Sequence, residues 1–102
     1  MPQEYTFTVP IKVFEDAGTR ALFAWLPQDM GAEILEEVRA VKKKPGKSVK
    51  VTALVGRTRW DTAIFRDDAE KTYALPLKAA VRDQELLREG QMVEATVILD
   101  FS

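Results

Sequence analysis

The sequence contains neither cysteine nor histidine among its 102 residues. Without cysteine, disulfide bonds, thiolate nucleophiles, iron–sulfur clusters and cysteine-ligated zinc are excluded. Without histidine, the commonest general base and the commonest transition-metal ligand are missing as well. No spacing in the chain pairs two carboxylates or places a nucleophile beside a base. We therefore expect a protein that is not an enzyme, has no catalytic residues, and holds no metal and no cofactor.

Long apolar runs are also absent, since none approaches the roughly 20 residues that a membrane-spanning helix needs. The opening Met1-Pro2-Gln3-Glu4 lacks the basic and apolar regions of a secretory signal. We therefore expect a cytoplasmic protein with no membrane partner. The composition, 46% hydrophobic and 30% charged, is typical of one small folded domain covering residues 1–102.

Alternating apolar residues predict six strands, and two amphipathic segments that follow prolines predict two helices. The order is ββαβββαβ, with strands at 5–14, 20–26, 49–55, 58–65, 72–75 and 92–101 and helices that begin at Pro27 and Pro76. Pro10 inside the first strand predicts an edge position or a bulge. The second strand is apolar on both faces, which predicts a central strand covered on each side. In the second helix, Ala80, Val81 and Leu87 are the predicted inward positions.

One pattern occurs twice along the chain. Leu26-Pro27 and Leu75-Pro76 are each followed by a helical pattern, a glycine (Gly46 or Gly90) and an alternating strand. The alternating positions are Val49, Val51, Ala53 and Val55 in the first copy and Val93, Ala95, Val97 and Leu99 in the second. This repetition predicts a pseudo-twofold fold built by duplication, with coincidence among common residue types as the alternative.

The motifs of the second half resemble those of a known family. They are Trp60-x-Thr62-x-x-Phe65, Tyr73-x-Leu75-Pro76-Leu77-Lys78-x-x-Val81-Arg82 and Gly90-x-x-Val93, together with the earlier Leu26-Pro27. The chain resembles, over nearly its whole length, a widespread family of small bacterial domains of unknown function, found alone or fused to segments of the YdeI/OmpD-associated type. The resemblance implies a mostly β fold, a six-stranded double-split β-barrel capped by two short helices, and it implies no activity.

The segment Leu75-Pro76…Leu86-Leu87-x-x-Gly90-x-x-Val93 is also similar to the half-barrel motif of AbrB and MazE transcription factors. Chains of that type supply one half each and must dimerise. Because two halves lie in one chain here, we expect the barrel to close internally and the protein to be a monomer.

Four residues are candidates for a ligand site. Trp60 and Thr62 share one face of their strand, where a tryptophan at a barrel rim can stack on a planar ligand, although such a residue more often fills the core. Trp25 is interpreted in the same way. Lys78 and Arg82 are one helical turn apart near a helix N-terminus, which suits an anion, although the pair can equally be surface cations that face nearby acids.

The charges are unevenly distributed along the chain. Residues 39–59 hold eight Lys and Arg with no Asp or Glu, although the net charge of the whole chain is −1. This segment supplies an alternative site, for nucleic acid, whose candidate residues are Lys42, Lys43, Lys44, Lys47, Arg57 and Arg59. A sequence pI near 5.5 and the lack of aromatic residues among the lysines disfavour it. Asp67-Asp68-Ala69-Glu70 lacks the spacing of a calcium loop and predicts an exposed turn.

Taken together, the residues favour a non-catalytic binding module whose partner is a small ligand or a protein segment of unknown identity. An AbrB-like DNA-binding protein that uses residues 39–59 is the alternative, and it rests partly on analogy between folds.

Overall fold

The computed structural model describes residues 3–16 and 18–101, apart from the side chain of Asp16. These residues form β1 (Glu4–Asp16), β2 (Thr19–Trp25), α1 (Gln28–Val41), β3 (Ser48–Val55), β4 (Thr58–Asp67), β5 (Thr72–Leu77), α2 (Ala79–Glu85) and β6 (Met92–Leu99). The predicted order of six strands and two helices is confirmed. Met1 and Pro2, on which the expected absence of a signal partly rests, and Ala17 of the first hairpin turn lie outside the described residues.

The six strands form a closed antiparallel barrel in the order β1-β2-β5-β4-β3-β6. Two strands change partner along their length. β1 pairs with β6 over Glu4–Pro10 and with β2 from Ile11 onward, and β4 pairs with β3 over Thr58–Phe65 and with β5 over Phe65–Asp67. The barrel therefore has two walls, which we name the β2–β5 wall and the β3–β6 wall, and β1 and β4 contribute one half to each.

The predicted duplication is visible in the pairing of the strands. β3 and β6 have eight residues each and the same alternation of exposed and buried positions. At the centre of one wall Ala53 lies opposite Val97, and at the centre of the other Ala24 lies opposite Leu75. All four side chains are 0% exposed. An approximate twofold axis through these two pairs relates the halves of the chain, so the barrel closes internally.

The prediction that Pro76 opens the second helix is wrong. Pro76 lies in β5 opposite Phe23, and α2 begins three residues later at Ala79, whereas α1 begins directly after Pro27. The structural equivalent of Pro27 is therefore Lys78. The amide of Leu26 donates to the carbonyl of Tyr73 at 2.9 Å. Every second residue of β5, counted from Tyr73, therefore bonds to β2. Pro76 falls between two of these residues, so its nitrogen points away from β2.

On that far side of β5, the pairing with β4 ends at Ala74. Pro76 therefore removes no ladder hydrogen bond, which is why a strand tolerates it at this position. Pro10, for which the sequence predicted an edge position or a bulge, is likewise the last β1 residue opposite β6 before that strand changes partner.

The helices pack near the beginnings of β1 and β4. Gln3 Nε2 donates to Glu37 of α1 at 3.0 Å, and Thr58 Oγ1 donates to Glu85 of α2 at 2.6 Å. The seven-residue α2 buries only Val81. Ala80, which was predicted to point inward, is exposed, and Leu87 lies beyond the helix and is half-buried, because the helix starts later than predicted. Within the described residues, neither helix has the length and apolar character needed to cross a membrane.

The prediction that β2 is covered on both faces is also wrong. Its inner residues Leu22 and Ala24 are buried in the barrel, but Ala21, Phe23 and Trp25 on the outer face are only half-buried. α1 contacts β5 at Thr72, where that strand starts, and α2 packs near β4, while apolar side chains remain accessible on the outside of the β2–β5 wall.

Candidate functional site

An open groove of about 410 Å³ crosses the outer surface of the β2–β5 wall. Its apolar lining consists of Phe14, Phe23, Trp25, Phe65 and Ala74, and its polar lining consists of Lys47, Arg66, Asp67 and Asp68. We refer to it as the aromatic groove. Phe14 is 52% exposed and Phe65 is 46% exposed, which is unusual for large apolar side chains.

Strand register explains why the surface is concave here. Ala74 of β5 lies directly opposite Trp25 of β2 on one side and Phe65 of β4 on the other. Directly paired residues point to the same face of a sheet, so these three side chains form one row across the wall. Because the alanine ends at its methyl group, it forms a low floor between two large aromatic side chains.

The indole of Trp25 is held in a fixed orientation. Its Nε1–H donates to Asp67 Oδ2 at 2.9 Å, and its ring packs against Phe23 with 5.5 Å between centroids. Phe14 in turn meets Phe23 edge-on at 6.2 Å. The hydrogen bond from Trp25 is the main cause that lowers the pKa of Asp67. Desolvation, the next largest effect, opposes it, and bonds from the amides of Glu70 and Ala69 lower the pKa further. Both oxygens of this carboxylate therefore already accept hydrogen bonds.

Two cations lie side by side at one end of the groove. The amide of Arg66 donates to the carbonyl of Lys47 at 2.7 Å, which makes the two residues neighbours. The carboxylate of Asp68 lies 3.7 Å from Lys47 Nζ and 3.7 Å from Arg66 Nε. These distances allow charge attraction but are too long for hydrogen bonds.

The guanidinium of Arg66 also lies over the ring of Tyr73, 5.4 Å from its centroid. Its Nη1 is buried without a hydrogen-bond acceptor. Burial raises the pKa of Tyr73, and the positive charges of Arg66 and Arg39 oppose that rise in part. Because Arg66 pairs directly with the core residue Tyr73, its guanidinium points to the inner side of the sheet, away from Trp25, Phe65 and Ala74.

The structure does not bring together the four residues predicted for a ligand site. Trp60 is 8% exposed and lies in the core opposite Ala53, as its interpretation as a core residue predicted. Thr62 lines a separate polar cleft of about 470 Å³ with Lys50, Asp61 and Asp100. Lys78 is exposed and precedes α2, and Arg82 is half-buried with its Nε unpartnered. Neither of these two cations lines the aromatic groove or the polar cleft.

The basic residues predicted for nucleic acid are likewise divided. Lys42, Lys43, Lys44 and Lys47 lie at the end of α1 and in the loop before β3, whereas Arg57 and Arg59 lie in the hairpin beyond it. The eight residues of β3 separate the two groups by about 26 Å. Lys47 alone among the six lines the aromatic groove.

The sequence did not identify the aromatic groove. By sequence Trp25, like Trp60, is a candidate for stacking that more often fills the core, and both faces of the second strand are predicted to be covered. The available signal was the occurrence of aromatic residues at outward positions on three strands. Along each strand inward and outward positions alternate, and Phe14, Phe23 and Phe65 fall on the outward ones. Recognising that these positions meet required the register of β2, β5 and β4.

Comparison with known proteins assigns the chain to a family without assigning it an activity. The model of the family described as domain of unknown function DUF1905 matches residues 7–97. The chain belongs to this family. A search of curated proteins found no significant match.

Proposed function

We propose that this domain is a non-catalytic binding module and that its ligand, a small molecule or a protein segment, occupies the aromatic groove. The observation that carries the proposal is the contrast between the two walls of the barrel. The outer face of the β2–β5 wall presents Phe14, Phe23, Trp25 and Phe65 around one concavity. Exposed aromatic clusters of this kind are typical of binding sites.

The outer face of the β3–β6 wall has the opposite character. Thr6 and Thr96 share a hydrogen bond of 2.8 Å there, and Thr52 donates to Asp61 at 3.2 Å. Polar side chains that bond to one another on an outward face are ordinary for a half-solvated sheet. The aromatic side chains on the outer face of the β2–β5 wall contribute less to folding than they would in the core, which supports a role in recognition.

Fragment screening by nuclear magnetic resonance tests the proposal. Each tryptophan gives its own indole N–H signal, so Trp25 reports on the groove and the buried Trp60 serves as an internal control. We expect planar aromatic fragments to shift the Trp25 signal and the amides of β2, β4 and β5, and to leave Trp60 unchanged.

A pair of matched variants locates the site. Ala74→Leu fills the floor of the groove, whereas Ala63→Leu adds the same atoms to the outer face of β4 on the β3–β6 wall. We expect the first to abolish fragment binding and the second to leave it intact, with unfolding midpoints measured for both. Hits that shift Asp61 and Thr62 instead, or that bind the Ala74→Leu variant unchanged, would contradict the assignment.

The closed barrel also supports the proposal that the domain is a monomer. Both walls are completed by strands of one chain, and the residues on the approximate twofold axis pair within that chain. We expect sedimentation velocity to give a single species near 11.5 kDa at micromolar concentration. An obligate dimer whose formation Phe65→Ala prevents would instead show that a second copy covers the aromatic groove.

A further inference from the structure

The charges that line the aromatic groove are not balanced. The guanidinium of Arg66 points to the inner side of the sheet, because Arg66 pairs directly with the core residue Tyr73. Of the cations that line the groove this leaves Lys47, whose ammonium lies 3.7 Å from Asp68. Among the described residues no Lys or Arg forms an ion pair with Asp67. The negative charge of Asp67 is therefore uncompensated.

Asp67 combines this charge with little remaining capacity to accept hydrogen bonds. The indole of Trp25 donates to its Oδ2 at 2.9 Å, and the amides of Ala69 and Glu70 donate to its Oδ1 at 3.1 and 3.2 Å. These three bonds use most of the roughly four lone-pair sites of a carboxylate. Because the donors are neutral, they leave the negative charge in place. The complementary ligand group is a cation that donates no hydrogen bonds, and a quaternary ammonium is such a cation.

The aromatic rings of the groove face in different directions. The planes of Phe14 and Phe23 are 83° apart, and those of Phe23 and Trp25 are 48° apart. A planar ligand stacks on one such ring at a time, whereas a compact, rounded group can contact several. Ring faces carry negative potential and attract cations, and tryptophan does so most strongly. The hydrogen bond from Trp25 to the charged Asp67 polarises the indole and strengthens this attraction.

The width of the groove also suits a rounded cation. Trp25 and Phe65 lie on strands either side of β5, so their Cβ atoms stand about 10 Å apart across Ala74. A cation centred over the alanine lies about 5 Å from each side, within the roughly 6 Å over which a ring face attracts it. Asp67 follows Phe65 by two residues and shares its face of β4, so its carboxylate borders the same position.

We propose that the aromatic groove binds a small organic cation with a quaternary ammonium head group, of the trimethylammonium type. The head group lies over Ala74 between Trp25 and Phe65, and Asp67 balances its positive charge. This inference rests on the proposed function and adds to it the sign and the shape of the charged group. The ligand is a free small molecule, since a groove of about 410 Å³ lies near the small end of the range for ligand sites.

Three probes built on one skeleton separate charge from shape. They are choline, its neutral isostere 3,3-dimethylbutan-1-ol, in which carbon replaces the nitrogen, and the primary ammonium 2-aminoethanol. Each is titrated at constant ionic strength and followed by the backbone amide signals of β2 and β5, with the buried Trp60 indole as internal control. We expect choline to bind about fivefold more tightly than its neutral isostere, as one cation–π contact supplies, and 2-aminoethanol to bind more weakly than choline.

Two variants test the two sources of attraction. Asp67→Asn removes the negative charge at nearly constant shape, so we expect it to weaken choline binding several-fold and to leave the neutral isostere unchanged. Glu94→Gln removes one charge from an exposed position of β6 on the other wall and is the matched control, which should change neither affinity. Phe65→Leu keeps an apolar side chain but removes a ring face, and we expect it to weaken choline binding selectively as well. Because Phe65 is 46% exposed, this variant retains the core, and unfolding midpoints are measured for all three.

The outcomes distinguish this inference from the proposed function. Equal binding of choline and 3,3-dimethylbutan-1-ol, both blocked by Ala74→Leu, would overturn the cation assignment and leave the binding module standing. Choline binding that Asp67→Asn and Phe65→Leu both leave unchanged would do the same. A peptide with one trimethyllysine that binds more than tenfold more tightly than choline would overturn the assignment to a free small molecule. A groove whose signals neither these probes nor planar aromatic fragments shift would overturn both proposals.

Discussion

The indole N–H of Trp25 donates to the carboxylate of Asp67 across the boundary between β2 and the end of β4. The negative charge of the carboxylate strengthens this bond, so we expect the surroundings of the indole to change when Asp67 is protonated. The folded-state pKa of Asp67 is lowered, chiefly by this bond, from an unfolded value of about 3.9. The stabilisation that ionised Asp67 supplies is therefore complete above about pH 3.9 and is lost as the pH falls through the lower folded value.

We accordingly expect the indole signal of Trp25 to be constant from neutral pH down to about pH 4 and to titrate with a midpoint below about 3.9. The Trp60 indole, buried in the core, serves as the control for global acid unfolding. Asp67→Ala removes the acceptor, so the titration of Trp25 should disappear in that variant. A midpoint above the unfolded value would contradict the lowered pKa.

The contact between α1 and β5 depends on the absence of a side chain at Gly31. A Cβ at this position would overlap Thr72 Oγ1 and lie 2.9 Å from the backbone Cα of Thr72. We expect Gly31→Ala to destabilise the fold by about 1–2 kcal/mol, because the overlap outweighs the gain of about 1 kcal/mol in helix propensity. Denaturant unfolding measures the change.

Gly46→Ala is the matched control, since nothing lies within 4 Å of a Cβ at that position. Its effect should stay within about 0.5 kcal/mol. The double variant Gly31→Ala with Thr72→Ala, which removes Oγ1, should not recover wild-type stability, because the contact with the Cα of residue 72 remains. Recovery would mean that the Thr72 side chain alone sets the spacing between the helix and the barrel.

The end of α2 offers a stabilising substitution. Leu86 caps this helix in the left-handed conformation, with φ 55° and ψ 46°, and its side chain is 77% exposed. Left-handed backbone costs a non-glycine residue roughly 1–2 kcal/mol, and glycine is the usual residue at such helix ends. After allowing for the greater freedom of glycine in the unfolded chain, we expect Leu86→Gly to stabilise the domain by about 0.5 kcal/mol.

Leu86→Ala keeps the conformational strain and removes the same exposed side chain, so it separates the two effects. We expect it to leave the midpoint of thermal unfolding unchanged or slightly lower. If alanine stabilised the domain as much as glycine, loss of the exposed leucine side chain would be the cause and backbone strain would not.

Periodicity predicted the six strands, the two helices and their repetition, and the resemblance to the family implied that they close into a barrel. The alternating valines after Gly46 and Gly90 lie on the inner face in both copies, and they fix the two strands that meet at the Ala53–Val97 pair. The exact start of α2 was beyond this reasoning. A proline is compatible both with the first turn of a helix and with a strand whose nitrogen faces no partner, and only the register shows that Pro76 is in the second situation.

The candidate site was harder to predict because it depends on contacts between residues far apart in sequence. Trp25, Phe65 and Ala74 become neighbours only through the pairing of three strands. An outward aromatic residue on one strand is unremarkable by itself. By sequence, Trp60 and Trp25 are equally suitable for stacking on a ligand. In the closed barrel Trp60 is buried in the core, whereas Trp25 lies at the surface.

The arrangement of charges leads to a prediction about nucleic acid. One basic group, at Lys42–Lys47, precedes β3, and the other, Arg57 and Arg59, lies near its far end. The wall between them carries Asp61, Glu94 and Asp100 beside Lys50. Carboxylates between the two groups repel phosphates, and binding through Lys and Arg gives an affinity that falls steeply with salt. We therefore expect no saturable binding of duplex DNA or of single-stranded RNA at low ionic strength, measured by fluorescence anisotropy across a salt titration.

Steeply salt-dependent binding that Lys44→Ala and Arg57→Ala each weaken would show that the two groups act as one surface, and would favour the DNA-binding alternative over the groove.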